Sequence, residues 1–97
     1  MRTKPVILHP RAVAQIEEAR AWYAERSSVA AYAFDLALEQ TLTLVRLAPH
    51  AGSRVGKTMR RQRLKGFPFW IIYRTEESCS WILALHHERR DGPDIVP

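Results

Sequence analysis

Four cations in a short run have the clearest capacity for binding chemistry: Arg60, Arg61, Arg63 and Lys65. Alternate residues of a strand lie on the same face, so Arg61 and Arg63 can contact one anionic group together. Seven basic residues and no acid lie between positions 51 and 75. This charge pattern predicts an anionic partner, either nucleic acid or an acidic segment of another protein. A solvated surface that only aids solubility is the alternative interpretation.

Metal and thiol chemistry have weak support in the sequence. His86, His87 and Glu88 begin like a zinc motif, but the histidine expected four residues further on is absent. His9 has no second ligand at helical spacing. Cys79 is the single cysteine, so no internal disulfide can form, which fits a reducing cytosol. We therefore predict no metal, no cofactor and a cytoplasmic location.

Two apolar runs after the basic segment predict a β-hairpin that positions the cations. Residues 67–73 and 81–85 are rich in aromatic and β-branched side chains, and the polar residues 75–78 separate them. Strong strand formers around a short polar loop are typical of a hairpin. The run 60–65 is mostly charged, so we expect it to be an edge strand with one wet face. This basic strand and Trp70 beside it form the predicted interaction surface.

The first half of the chain predicts a short strand followed by two helices. Residues 6–8 are apolar and partly β-branched, which indicates a strand buried on both sides. Apolar residues then recur at helical spacing over 11–25 and again over 31–45. The residues between these patterns, Arg-Ser-Ser at 26–28, can cap the second helix. A link of about three residues requires the two helices to run antiparallel.

Three local features refine this expectation. His9 is a poor helix cap, so the start of the first helix should be incompletely capped. Trp22 and Tyr23, near the tip of the helical hairpin, are predicted to pack in the core rather than to bind a partner. Residues 49–56 are a loop by their proline and glycine content.

Both faces of the predicted hairpin are apolar, which implies an uncovered surface. Residues 67–73 and 81–85 carry apolar side chains at odd and at even positions. One pair of helices covers only one face of a sheet. We therefore expect part of the second face to be exposed in the isolated chain and buried by a partner or by self-association. The alternative is that the N-terminal loop and the C-terminal tail cover it.

Length and composition limit the fold to one domain spanning residues 1–97. With 46% hydrophobic and 26% charged residues, the 97-residue chain is typical of a globular protein. No apolar run reaches the roughly 18 residues that a membrane span needs, and the first residues lack a secretory signal pattern. The predicted fold is α+β, with an N-terminal strand, an antiparallel helix pair and a three-stranded antiparallel meander, in the order β-α-α-β-β-β.

This order of elements, together with several local motifs, resembles the ParE/RelE toxin superfamily of bacterial toxin–antitoxin systems over nearly the whole chain. The stretches similar to the ParE branch are Leu-Ala-Pro at 47–49 with Gly52, Arg-Gln-Arg-Leu at 61–64, Phe-Pro-Phe at 67–69, Ile-Tyr-Arg at 72–74 and Ile-Leu-Ala-Leu at 82–85, followed by His87, Arg89 and Arg90. The resemblance implies a curved, largely antiparallel sheet with the helices on one face. It also implies a plasmid-stabilisation toxin whose cognate antitoxin fills its apolar grooves, as a homodimer or in a heterotetramer with the antitoxin.

The superfamily divides in activity, and this sequence favours one branch. ParE-like members poison DNA gyrase, whereas RelE-like members are ribosome-dependent ribonucleases. RNA cleavage needs a base, an acid and arginines on one face, for which the candidates are Arg61, Arg63, Arg74 and His87. RelE-like nucleases use a tyrosine near the C-terminal end, and no tyrosine follows Tyr73. The resemblance therefore implies a non-enzymatic gyrase poison, with a RelE-like mRNA interferase, an endoribonuclease acting on ribosome-bound mRNA, as the alternative.

The residues expected to contact the target or the antitoxin are six cations and one tryptophan: Arg60, Arg61, Arg63, Lys65, Trp70, Arg89 and Arg90. Two other interpretations stay open at this point. The basic strand could bind duplex DNA directly, which would give strong salt dependence. The chain could also be an interaction module without toxicity.

Overall fold

Seven elements of secondary structure follow one another in the computed structural model, which describes residues 3–89. They are β1 (Val6–Leu8), α1 (Pro10–Arg26), α2 (Ser28–Leu47), β2 (Ser53–Val55), β3 (Met59–Arg63), β4 (Phe69–Thr75) and β5 (Ser80–His87). The predicted α+β order is confirmed, with β2 added where a loop was predicted. Gly56 has a φ of 64°, which lets the chain turn back at once so that β2 pairs with β3. No helix within residues 3–89 is long and apolar enough to cross a membrane.

The strands form one mixed sheet in the order β1-β5-β4-β3-β2. β1 runs parallel to β5, whereas the other neighbouring strands are antiparallel. The basic strand β3 was predicted to be an edge strand, and this prediction is wrong because β2 pairs with its free side. The charged side chains of β3 are tolerated there because Arg61 and Arg63 stay exposed on one face.

The two helices form the predicted hairpin, but Ser27 alone joins them. The Ser27 Oγ caps α2 by accepting a hydrogen bond from the Ala30 N–H at 3.2 Å. His9 caps α1 in the same way, because its Nδ1 accepts from the Arg11 N–H at 3.0 Å. The expectation of an incompletely capped start is therefore wrong: an imidazole nitrogen before Pro10 reaches a donor of the first turn as a serine or aspartate oxygen would.

Aromatic rings fill the space between the helices and the sheet. Tyr23 stacks on Phe34 with ring centroids 5.4 Å apart, and Phe67 contacts both rings edge-on at 5.1 and 5.6 Å. Burial raises the pKa of the Tyr23 phenol. Tyr23 thus packs in the core as predicted, whereas the same prediction for Trp22 is wrong, because Trp22 points to solvent. The Arg26 guanidinium lies 3.6 Å from the centroid of the Trp22 ring.

A bulge in β5 decides which of its side chains face the helices. Ile82 and Ala84 have partners on β4, but Leu83 between them has none. As a result Ile82 and Leu85 lie in the core on the helix side, and Leu83 and Ala84 lie on the opposite face. Simple alternation placed Leu83 and Leu85 on one face, and this is wrong because a bulge sets two residues opposite one.

The sheet face opposite the helices, here called the open face, carries a small apolar cluster. Its centre is buried, and half-buried side chains surround it: Met59, Ile72 and Ala84 at the centre, Val55, Trp70 and Leu83 around them. The large hydrophobic side chains that are exposed among the described residues lie instead on β1, α1 and α2. The predicted apolar surplus is therefore misplaced, since the side chains of Val55 and Trp70 pack against the cluster on the open face. Ile7 is also exposed, so β1 is not buried on both sides.

Candidate functional site

The open face is organised around the indole of Trp70. Trp70 on β4 pairs with Arg63 on β3, and Arg61 lies two residues away on the same face. The Arg61 guanidinium carbon is 4.1 Å from the centroid of the Trp70 ring, and that of Arg63 is 5.6 Å away. A guanidinium at these distances is attracted to the negative face of the indole. The predicted interaction surface thus contains a planar aromatic group with two cations beside it.

Two of the three arginines on the open face are neutralised within the chain. Arg63 Nη1 lies 2.8 Å from Glu88 Oε2, and Arg74 Nη2 lies 3.2 Å from Glu76 Oε2. The hydrogen bond from Arg63 holds the pKa of the Glu88 carboxyl below its usual value. Within residues 3–89, Arg61 has no carboxylate at ion-pair distance. Arg61 is therefore the cation of this face that is best placed to meet an anionic group.

Arg60 has a structural role on the helix side of the sheet. Its Nη1 donates to the Gly52 carbonyl at 2.8 Å. The Tyr73 hydroxyl, from the strand next to Arg60, accepts from the Gly52 N–H at 3.1 Å and donates to the Pro49 carbonyl at 2.8 Å. Together these side chains fix the loop between α2 and β2. Of the four cations in the basic run 60–65, Arg60 is thus the one whose guanidinium binds a backbone carbonyl.

His87 lies on the opposite side of the sheet from Arg61 and Arg63. It pairs with Phe69, which belongs to the aromatic core, and the two rings meet edge-on at 5.1 Å. The His87 Nδ1 accepts a hydrogen bond from the Arg89 N–H at 3.1 Å. A nuclease site needs the base and the arginines around one phosphate. The geometry separates His87 from Arg61, Arg63 and Arg74 instead of bringing the four together.

The other predicted contact residues lie at the margins. Lys65 is exposed in the turn after β3. Arg89 follows β5 and borders a groove on the helix side. Arg90 lies outside the described residues. The structure therefore groups Arg61, Arg63 and Trp70, and it places Lys65 and Arg89 in the turns that follow β3 and β5.

A groove of about 640 Å³ between α1 and the end of β5 was missed by the sequence argument. Its walls come from one helix and two strand ends: Gln15, Glu18, Ala19, Trp22 and Tyr23 on α1, and Pro68, Phe69, Leu85, His87 and Arg89 opposite. β1 stops at Leu8, so the edge of β5 beyond Ile82 has no strand partner. Gln15 Oε1 accepts there from the Leu85 N–H at 2.9 Å. The register of β1 reveals this open edge, and the sequence alone gives no signal for it.

Known proteins share this arrangement of a helical hairpin on a mixed sheet. A solved structure described as the chromosomal ParDE TA system from P. aeruginosa matches with a TM-score of 0.72 and 20% sequence identity. The match covers 87% of this chain and 95% of that one. At this identity the likeness establishes the fold. No curated protein matches the sequence.

The family is established by the sequence itself. The family model described as the ParE toxin of the type II toxin–antitoxin system parDE matches residues 6–92. The chain therefore belongs to the ParE toxin family, and the resemblance to ParE toxins drawn from its motifs is confirmed.

Proposed function

We propose that this ParE-family toxin arrests growth through DNA gyrase and that a cognate antitoxin neutralises it in the cytoplasm, as part of a plasmid-stabilisation system. Membership of the family supports the toxin activity. The observation that carries the choice of target is the separation of His87 from the arginines by the thickness of the sheet. A poison that acts by binding needs a contact surface, whereas an RNA-cleaving site needs converging groups.

The contact surface for the target is centred on Arg61 and Trp70. Arg61 is exposed and lies against the indole, so its rotamers are already restricted before binding. Pre-organised arginine and tryptophan side chains contribute most of the binding energy in many interfaces. Arg63 and Glu88 form the polar border of this surface.

The groove between α1 and β5 is the proposed site for the antitoxin. Its open strand edge offers backbone groups to an extended segment, and Trp22 and Phe69 offer apolar contacts. Arg89 at its border favours an acidic segment. The antitoxin and the target would then occupy opposite faces of the sheet.

The test of the target uses purified protein with purified gyrase, in assays of DNA supercoiling and of gyrase-linked DNA breaks. Arg61→Ala and Trp70→Ala should weaken inhibition by roughly tenfold to a hundredfold, which is the usual range for central interface residues. Arg11→Ala, at an exposed arginine on the first turn of α1, is the matched control and should inhibit like the unmodified toxin.

The same preparation decides between gyrase and RNA. If the toxin leaves gyrase unaffected and cuts ribosome-bound mRNA in a manner that depends on Arg61 and His87, the gyrase assignment is wrong. Induction of the gene without its neighbours should stop growth, and continued growth would contradict toxicity altogether. Trp22→Glu in the groove should abolish neutralisation by the antitoxin while leaving gyrase inhibition intact.

A further inference from the structure

The solvent-facing side of α2 is unusually apolar for a surface helix. Five of the eight exposed large hydrophobic side chains among the described residues lie on it, and the two most exposed are Val29 at 75% and Tyr32 at 65%. No contact in the described part of the fold explains them, because the core uses Phe34, Ala37 and Val45 on the other side of the same helix. A second apolar stripe on one helix is typical of a helix that packs on both sides.

The stripe is free of charge along its whole length. At 100° per residue its members fall within a sector of about 120° on the helix surface. They are Val29, Tyr32, Ala33, Leu36, Gln40, Thr43, Leu44 and Leu47. The charged residues of α2, which are Asp35, Glu39 and Arg46, lie beside this sector rather than in it. Asp35 is already paired with Arg20 of α1 at 2.9 Å.

The stripe presents nearly the same order of large and small side chains when it is followed from either end of α2. Val29 and Leu47 lie equally far from the middle of the helix, and so do Tyr32 and Leu44. The small residues Ala33 and Thr43 form a third such pair, and Leu36 and Gln40 flank the centre. When two copies of α2 pack antiparallel about a two-fold axis at the middle of the helix, each residue lies opposite its counterpart in the other copy. A large side chain then meets a large one, and a small residue meets a small one.

We infer that the outer stripe of α2 binds a second copy of this chain, through an antiparallel α2–α2 contact. The argument for this occupant is the two-fold symmetry of the stripe, which a heterologous partner would not require. The stripe lies on α2, away from both Trp70 and the α1–β5 groove, so the inference does not depend on the proposed target or antitoxin site. One helix pair along about 30 Å is a small contact beside the roughly 1,600 Å² of a standard interface, so we expect a dimer that dissociates on dilution.

The first experiment measures molar mass by sedimentation over a wide concentration range. The unmodified chain should change from monomer to dimer. Leu36→Glu, which places two carboxylates at the centre of the contact, should raise the dissociation constant at least about a hundredfold. Val13→Glu is the matched control, since Val13 on α1 is 38% exposed and Leu36 is 42% exposed. It should dimerise like the unmodified chain, and circular dichroism checks that both variants fold.

The second experiment tests the antiparallel direction by cross-linking. Val29→Cys and Leu47→Cys are prepared as separate chains, since native Cys79 is buried. A short bis-maleimide should join them when they are mixed and should give little product with either alone. Cross-linking of each variant with itself would contradict the antiparallel arrangement. A chain that stays monomeric at every concentration overturns the inference, and if Leu36→Glu then also loses the antitoxin, the stripe belongs to that partner.

Discussion

The two faces of the sheet differ in what covers them. On the helix side, aromatic rings from α1, α2 and the loop before β4 close over the strands, and Phe34 is fully buried. On the open face the buried cluster contains only three residues, and Trp70 with Arg61 beside it lies at the edge of that cluster. β4 serves both faces, because Tyr73 points to one and Trp70 to the other. One strand can therefore carry the stabilising core on one face and the proposed contact surface on the other.

The polar groups of the two faces also differ. The Tyr73 hydroxyl on the helix side is bonded to two backbone groups of the Pro49–Gly52 loop. The arginines on the open face are bonded to exposed carboxylates or lie on an indole. Buried backbone bonds resist solvent and salt, whereas exposed ion pairs contribute little to stability. Changes on the helix side should therefore mainly affect folding, and changes on the open face should mainly affect binding.

The largest expected effect comes from truncating the aromatic core. Phe34→Ala should lower the free energy of unfolding by about 4 kcal/mol, because it removes a fully buried ring and leaves a cavity. Trp70→Ala on the open face should cost about 2 kcal/mol, since that ring is only partly buried. Urea unfolding of both variants measures the difference. Equal losses would contradict the division of roles between the faces.

A smaller loss is expected when a side chain is added at Gly52. A Cβ there would overlap the Tyr73 hydroxyl and lie 2.7 Å from the Arg61 carbonyl oxygen. Gly52→Ala should therefore lower the free energy of unfolding by about 3 kcal/mol, through overpacking and loss of the Tyr73 hydrogen bond. Gly56→Ala is the control: it has open space around it but a positive φ, so it should cost only about 1 kcal/mol. A Gly52→Ala variant as stable as the parent would show that this loop can shift.

The hydroxyl of Tyr73 should also make stability depend on alkaline pH. Burial raises the pKa of Tyr73 above the ordinary tyrosine value of about 10, so its contribution is present below that pH and is lost as pH rises through the folded value. Tyr73→Phe should cost about 2 kcal/mol at pH 7, because it leaves the Gly52 N–H and the Pro49 carbonyl unpaired.

The variant should then lose less stability than the parent as pH rises above about 10, since the Tyr73 phenol is gone and the Tyr23 phenol, whose pKa burial also raises, remains. Thermal unfolding at stepped pH values measures both slopes. Parallel curves for the parent and Tyr73→Phe would contradict the assignment.

The smallest expected effect concerns the ion pair on the open face. Arg63→Ala should leave stability at pH 7 almost unchanged, because Glu88 is exposed. It should raise the pKa of Glu88, since the hydrogen bond from Arg63 is the main cause that lowers it. The stabilising contribution of the pair is present above the ordinary glutamate pKa and is lost as pH falls through the lowered value. Carbon NMR of labelled glutamate follows this titration, with Arg74→Ala as a control that should not shift Glu88.

Much of the fold follows from local sequence patterns. The apolar period of the two helices, the serine between them and the two strand-forming runs of the hairpin all appear in the structure as predicted. These features depend on neighbouring residues alone. Two errors concern β2 and the position of β3 inside the sheet, where a short segment is fixed by its pairing partner. The third concerns the cap at His9, which is a local hydrogen bond made by an atypical capping residue.

The candidate site was predicted less completely. The sequence indicated that Arg61 and Arg63 share a face, because alternate residues of one strand do, and it named Trp70 as a contact residue without placing it on that face. It also grouped Arg61 with His87, which the structure separates. Alternation tells which residues of one strand share a face but not how the faces of distant strands correspond, and the bulge at Leu83 changes that correspondence.

The amino-acid sequence by itself determined the class of fold and the presence of a cationic strand, because these depend on composition and on periods of two and 3.6 residues. It also determined the family, through the match of the family model to residues 6–92. The tertiary structure alone decided which arginines are already engaged and where the exposed apolar surface lies. Glu88 is 25 residues from Arg63 in the chain, whereas Glu76 is only two residues from Arg74. The Arg63–Glu88 contact is set by strand register and by packing, and neither of these is a property of any single segment.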